Sequence, residues 1–127
     1  MKTKLYLLVL VIVLASLTLS ACGGGSSFPT GKLVRADNPD AGMIINKDGT
    51  WSAYNGIYTL ARGTYSINGD LFIEESNDSD GACPTPASYK FTINGDQLTF
   101  NYVDDPTNDP CAGRVDGFNG VTYIISK

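Results

Sequence analysis

The chain has 127 residues, of which nine are basic and thirteen acidic, giving a formal net charge of −4, and it contains no histidine. Without clustered Lys and Arg it carries no electrostatic footprint for nucleic acid. Without histidine it lacks the commonest general base and the commonest metal ligand.

The first 21 residues read as a processing signal. Met1-Lys2-Thr3-Lys4 is a short basic start, and Leu5 to Ala15 is an unbroken apolar run, too short on its own for a comfortable membrane span. Leu19-Ser20-Ala21-Cys22 follows, and it resembles the lipobox of bacterial lipoproteins. The resemblance implies cleavage before Cys22 and lipidation of its thiol, so that the mature chain meets a lipid membrane through Cys22 and resides in the cell envelope. Gly23 in place of Asp favours the outer membrane in a two-membrane bacterium; with a single membrane the address is the outer face of the plasma membrane. Loss of Lys2 and Lys4 leaves seven basic and thirteen acidic residues, a mature net charge of −6. Residues 22–29 contain Gly23-Gly24-Gly25-Ser26-Ser27, a flexible tether that buries nothing. One domain of about a hundred residues, 30–127, remains, with its packed part expected to begin near Phe28 or Thr30.

From there the apolar positions recur with period two, and no stretch carries a convincing helical period. Lys32 to Ala36, Gly42 to Asn46 and Thr50 to Tyr54 are predicted strands, with Lys47-Asp48-Gly49 turning the second into the third. Asn55-Gly56 is another tight turn. Tyr58 to Ile67 is a long fourth strand whose alternation slips, which places a bulge or bend at Ala61-Arg62-Gly63.

Between Gly63 and Arg114 the chain repeats itself. Gly63 to Ile73 and Tyr89 to Phe100 each hold an alternating run, an Ile-Asn-Gly-Asp turn and a second apolar run, followed by an acidic loop and a cysteine, Cys83 or Cys111. Asn-Gly between alternating runs is a strong hairpin signal. Strand five is Asp70 to Glu75, and Tyr89 to Ile93 and Leu98 to Tyr102 belong to strands six and seven. A Gly-Phe-Asn-Gly turn at Gly117 to Gly120 leads into Val121 to Ser126 as the eighth. The predicted fold is all-β, a single antiparallel up-and-down meander of about eight short strands closed into a small barrel, with a two-layer β-sandwich as the alternative. Closure is preferred because it removes exposed edges.

Asp48-Gly49-Thr50-Trp51, Gly63-Thr64-Tyr65 with Gly69-Asp70, Cys83, Tyr89 with Gly95 to Phe100, and Asp109 to Arg114 together resemble bacterial lipocalin-like domains, small relatives of the calycin barrels. The resemblance spans most of Ala41 to Lys127 and implies an eight-stranded barrel with a small-molecule pocket. Gly49-Thr50-Trp51 matches the lipocalin Gly-x-Trp, but it falls on the third strand instead of the first, so its role is not transferred.

Cys83 and Cys111 are the thiols left once Cys22 is acylated. In an oxidising compartment they are expected to form a disulfide clipping the two acidic loops together. Trp51, Tyr54, Tyr65, Tyr89, Phe91, Phe100 and Tyr102 are large enough to fill a small barrel, and some of them are candidates to line an apolar pocket. Arg114 is expected to cover one barrel end, donating to carbonyls or stacking on an aromatic, ahead of a role in ligand binding. Asp78, Asp80, Asp104, Asp105 and Asp109 supply oxygens for a calcium-type site, although a solvated acidic surface is the plainer reading. Glu74 and Glu75 are adjacent on one strand and face opposite ways, so they make no acid and base pair. No nucleophile has an evident base. No catalytic residue and no cofactor are therefore assigned. Two function classes remain: a lipid-anchored barrel binding a small apolar or amphipathic ligand, and a non-catalytic structural lipoprotein whose packed barrel contacts another envelope protein.

Overall fold

The computed structural model describes residues 27–77, 83, 85–111 and 113–127. Cys22, the leader before it, and Asp78 and Asp80 lie outside the described residues. Eight strands follow in order: β1 (Gly31–Arg35), β2 (Ala41–Ile45), β3 (Thr50–Asn55), β4 (Tyr58–Asn68), β5 (Leu71–Ser76), β6 (Ala87–Asn94), β7 (Gln97–Tyr102) and β8 (Thr122–Ile125). Each pairs antiparallel with the next, and β8 returns to β1 through Leu33↔Ile125, Val34↔Ile124 and Arg35↔Tyr123. That last ladder closes the barrel and rules out the sandwich.

Turn chemistry sets the register. Three hairpins use the same device: Asn55, Asn68 and Asn94 pair with Tyr58, Leu71 and Gln97, leaving Gly-Ile, Gly-Asp and Gly-Asp as two-residue loops. Gly56, Gly69 and Gly95 have φ of 59°, 62° and 65°, and no other residue type in the described chain has positive φ. Positive φ at the first loop position alone marks a type II′ turn, whose twist matches the flanking strands.

Side chains alternate across the wall, and one phase forms the core. Leu33, Met43, Ile45, Trp51, Phe72, Tyr89, Leu98, Phe100 and Tyr123 are all buried. Gly63 lies inward opposite Trp51; a Cβ there would stand 2.1 Å from the Glu75 carbonyl oxygen and 2.9 Å from Trp51 Nε1. Only glycine lets β4, β5 and the indole meet at that point.

Two local expectations need correction. The irregularity in β4 sits at Leu60, between the pairs Ala53↔Ala61 and Tyr54↔Thr59, and not at Ala61-Arg62-Gly63. The segment before β8 contains a short helix, α1 (Arg114–Phe118), so Gly117 is helical where a turn from Gly117 was expected. Five residues are too few to show a helical period, and α1 is held instead by Phe118, which drops its ring into the barrel mouth against Tyr89, Phe100 and Trp51 at centroid distances of 4.7, 5.4 and 5.5 Å.

An up-and-down barrel has two distinct ends. The turns at 46–49, 69–70 and 95–96 lie at one end together with the start of β1 and the finish of β8. The connections β1–β2, β3–β4, β5–β6 and β7–β8 lie at the other, which α1 caps.

Candidate functional site

The terminal end is filled from within. Phe28 packs its ring among Phe91, Phe72, Tyr65 and Phe100, with centroids 4.9, 5.3, 5.9 and 6.2 Å away. The tether's single aromatic residue is thus a plug, and Tyr65 closes over it by donating from its hydroxyl to the Asn46 carbonyl at 2.8 Å.

The capped end is open inside. A cavity of about 580 Å³ lies between the β1–β4 wall and α1, within the size range of small-molecule sites. Met43, Trp51, Ala53, Ala61, Phe118 and Tyr123 give it apolar walls, while Arg35, Asp37, Asn38, Ser76 and Arg114 bring polar groups. Room remains here because the inward residues toward this end are small, Ala41, Ala53 and Ala61, where the terminal end has aromatic rings. Arg35 is held by Asp37 through two parallel hydrogen bonds of 2.8 Å, which keep the guanidinium at the rim. The Tyr123 hydroxyl donates to the Gly117 carbonyl at 2.6 Å, tying α1 to β8, and burial pushes its pKa up to about 12.

Behind one wall of the cavity is a buried ionic cluster. Arg114 reaches down from α1, its Nε 2.9 Å from Asp109 and its Nη1 3.4 Å from Glu74 on β5. Nη1 also donates to the carbonyl of Thr85. All three side chains are withdrawn from solvent, with exposures of 7% for Arg114, 2% for Asp109 and 0% for Glu74. One cation therefore serves two buried carboxylates, and the two fare differently. Burial works to raise the Asp109 carboxyl, but Arg114, the Cys111 N–H at 2.8 Å and Tyr102 together hold it below the usual range. Burial raises Glu74 to about 7, and Arg114 with the Ser76 hydroxyl only partly opposes it. Tyr89, beside this cluster, is raised by burial and by the Glu74 charge. Among the described residues, Glu74 Oε1, the Tyr89 hydroxyl and Arg114 Nη2 lack hydrogen-bond partners.

The aromatic residues singled out from sequence divide between the two ends. Trp51 and Tyr54 line the cavity with Arg114. Tyr65, Phe91 and Phe100 surround the Phe28 plug. Tyr89 and Tyr102 pack on each other at 5.2 Å near the ionic cluster. Cys83 and Cys111 stand at disulfide distance, Cα to Cα 5.8 Å, and both border the cavity. Of the acidic residues proposed for a cation, Asp104 is exposed, Asp105 caps the 3-10 turn Pro106–Asn108 by accepting from the Thr107 N–H, and Asp109 is engaged by Arg114. Cys83, Asp109 and Cys111 bring their donor atoms within 4.8 Å of one another, but the guanidinium on Asp109 opposes a cation there.

Sequence reasoning missed Glu74. Its signal was legible in part, because Glu74 shares the inward phase of Phe72, and a carboxylate in a core phase demands a buried partner. The partner, Arg114, lies forty residues on and could not be assigned from spacing.

The chain matches no protein-family model, and no curated protein or solved structure matches it.

Proposed function

We propose that this chain is a lipid-anchored lipoprotein of the bacterial cell envelope, and that its barrel binds a small apolar or amphipathic ligand in the capped end. The observation that carries the binding reading is the cavity of about 580 Å³ with apolar walls and a few polar groups at its rim. The anchor reading rests on Leu19-Ser20-Ala21-Cys22 behind an apolar leader run. Binding is favoured over catalysis because the two buried carboxylates are committed to Arg114, and Glu74, fully buried, is not among the residues that line the cavity. The rival reading, a fully packed barrel serving as an interaction module, describes the Phe28 end but not the capped end.

Organic extraction of protein purified without detergent, followed by mass spectrometry, should release a stoichiometric small molecule, and Trp51 fluorescence should respond when the emptied protein is titrated with it. An extract without any stoichiometric compound, together with an unresponsive Trp51, would remove the binding reading. The anchor is tested separately: Cys22→Ser should move the protein from the membrane fraction to the soluble fraction while leaving its melting unchanged. Continued sedimentation with membranes would refute it.

A further inference from the structure

The three type II′ turns share Asn-Gly and differ in the second loop residue. Two have Asp as the second loop residue, Asp70 and Asp96, as suits a solvated tip. The third, at the capped end, has Ile57, which is 91% exposed. Tyr58 and Leu60 follow it on β4, exposed by 70% and 61%. Single exposed apolar side chains are ordinary, but three within four residues concentrate apolar surface into a ridge at this hairpin tip.

Leu60 connects this ridge to the cavity. It is the extra residue of the β4 irregularity, left without a partner between Ala53↔Ala61 and Tyr54↔Thr59, and it both lines the cavity and faces solvent. The hairpin is also fixed in place, since the Gly56 N–H donates to the Asp40 carbonyl of the β1–β2 loop at 2.8 Å. An apolar path therefore runs from Met43 and Trp51 in the interior, past Leu60 at the lip, to Tyr58 and Ile57 outside.

We propose, resting on the binding reading above, that the ligand is a long-chain amphiphile whose apolar chain is longer than the cavity. The chain leaves at Leu60 and lies along Tyr58 and Ile57, covering the exposed ridge. A ligand that ended inside the cavity would leave Ile57 and Tyr58 in water in both the free and the bound protein. A chain that continues over them gains burial on each added carbon, about fourfold in affinity for a methylene enclosed on all sides and about twofold for one laid against a ridge.

The test is a series of alkyl maltosides, octyl, dodecyl and hexadecyl, each kept below its critical micelle concentration and titrated calorimetrically into the full chain. Affinity should keep rising from dodecyl to hexadecyl. Ile57→Asp restores the loop residue that the two sister hairpins already use, so the turn should form and melting should be unchanged. In that variant, and in Ile57→Asp/Tyr58→Thr, octyl binding should stay within about twofold while hexadecyl binding falls about tenfold, the loss of a few ridge-laid methylenes. Octyl binding with no gain for longer chains, or a hexadecyl affinity indifferent to Ile57→Asp, would overturn the proposal and leave the binding reading standing. Failure of every member of the series to bind would overturn both.

Discussion

Replacing Glu74 by Gln should flatten the pH dependence of stability between pH 5 and 8. In the folded chain the Glu74 carboxyl holds its proton to about pH 7, against an ordinary value of 4.5, because burial penalises the charge more than Arg114 and Ser76 relieve it. The folded state therefore keeps a proton that the unfolded state has already released. Stability contributed by that proton is fully present below about pH 4.5 and declines as pH rises through about 7. At 1.36 kcal/mol per pH unit the decline amounts to about 3 kcal/mol over the window. Asp37, Asp48, Asp105 and Asp109 are held below the usual carboxylate range. Their contribution has the opposite sign and is lost only as pH falls below about 4. Gln keeps the shape, its one carbonyl oxygen can face Arg114 while its amide N–H donates to the Ser76 hydroxyl, and it has no proton to exchange in this range. Urea unfolding followed by Trp51 fluorescence at pH 5, 6, 7 and 8 should give the parent a fall of about 3 kcal/mol and Glu74→Gln a nearly level line. A parent whose stability rises with pH across this range would refute the reasoning, because it would mean that the Arg114 ion pair outweighs the desolvation of Glu74.

Reduction of the Cys83 and Cys111 pair, which are 28 residues apart, should cost about 3 to 4 kcal/mol, read as a lower melting temperature with reductant; an unchanged melt would remove the bridge from the account. Gly63→Val should destabilise by at least about 2 kcal/mol, because its Cβ meets the Glu75 carbonyl and the Trp51 indole, and equilibrium unfolding checks it. Phe28→Ala should cost about 2 to 3 kcal/mol, and a chain beginning at Pro29 should lose as much; if both melt like the parent, Phe28 is no plug.

Most of the barrel could be read from the sequence because two independent signals agree in it. Alternation in Tyr89, Phe91 and Leu98, Phe100 gives strands their inward faces, and the repeated Asn-Gly fixes where each hairpin reverses. With three tight Asn-Gly hairpins and each strand pairing with the next in sequence, closure of β8 on β1 is the arrangement that leaves no edge. What escaped is tertiary. The irregularity in β4 is a matter of its register against β3, where Ala53 pairs with Ala61 but Tyr54 with Thr59, and a single strand's pattern locates it only to within a residue or two. Helix α1 exists because Phe118 finds a hole among Tyr89, Phe100 and Trp51, and no local propensity around Gly117 announces it. Phe28 looks like part of a linker until the four rings around it are assembled from β4, β5, β6 and β7. The cavity itself follows from a shortage of bulk at Ala41, Ala53 and Ala61, which is visible only once those three alanines are known to share one end.

The Phe28 plug also determines how the barrel would bear a mechanical load. A pull applied upstream of residue 28 acts along β1, drawing it out of the barrel parallel to its neighbours. Where the load is borne at the opposite end of the barrel, the hydrogen bonds that resist are those of both ladders, four residue pairs with β2 and three with β8, and they are loaded together in shear instead of opening one after another. Before that load reaches β1, it must first extract a ring lodged among four others. Because β1 begins at the filled end, such a load enters the barrel beside the Phe28 plug, at the end opposite the capped cavity.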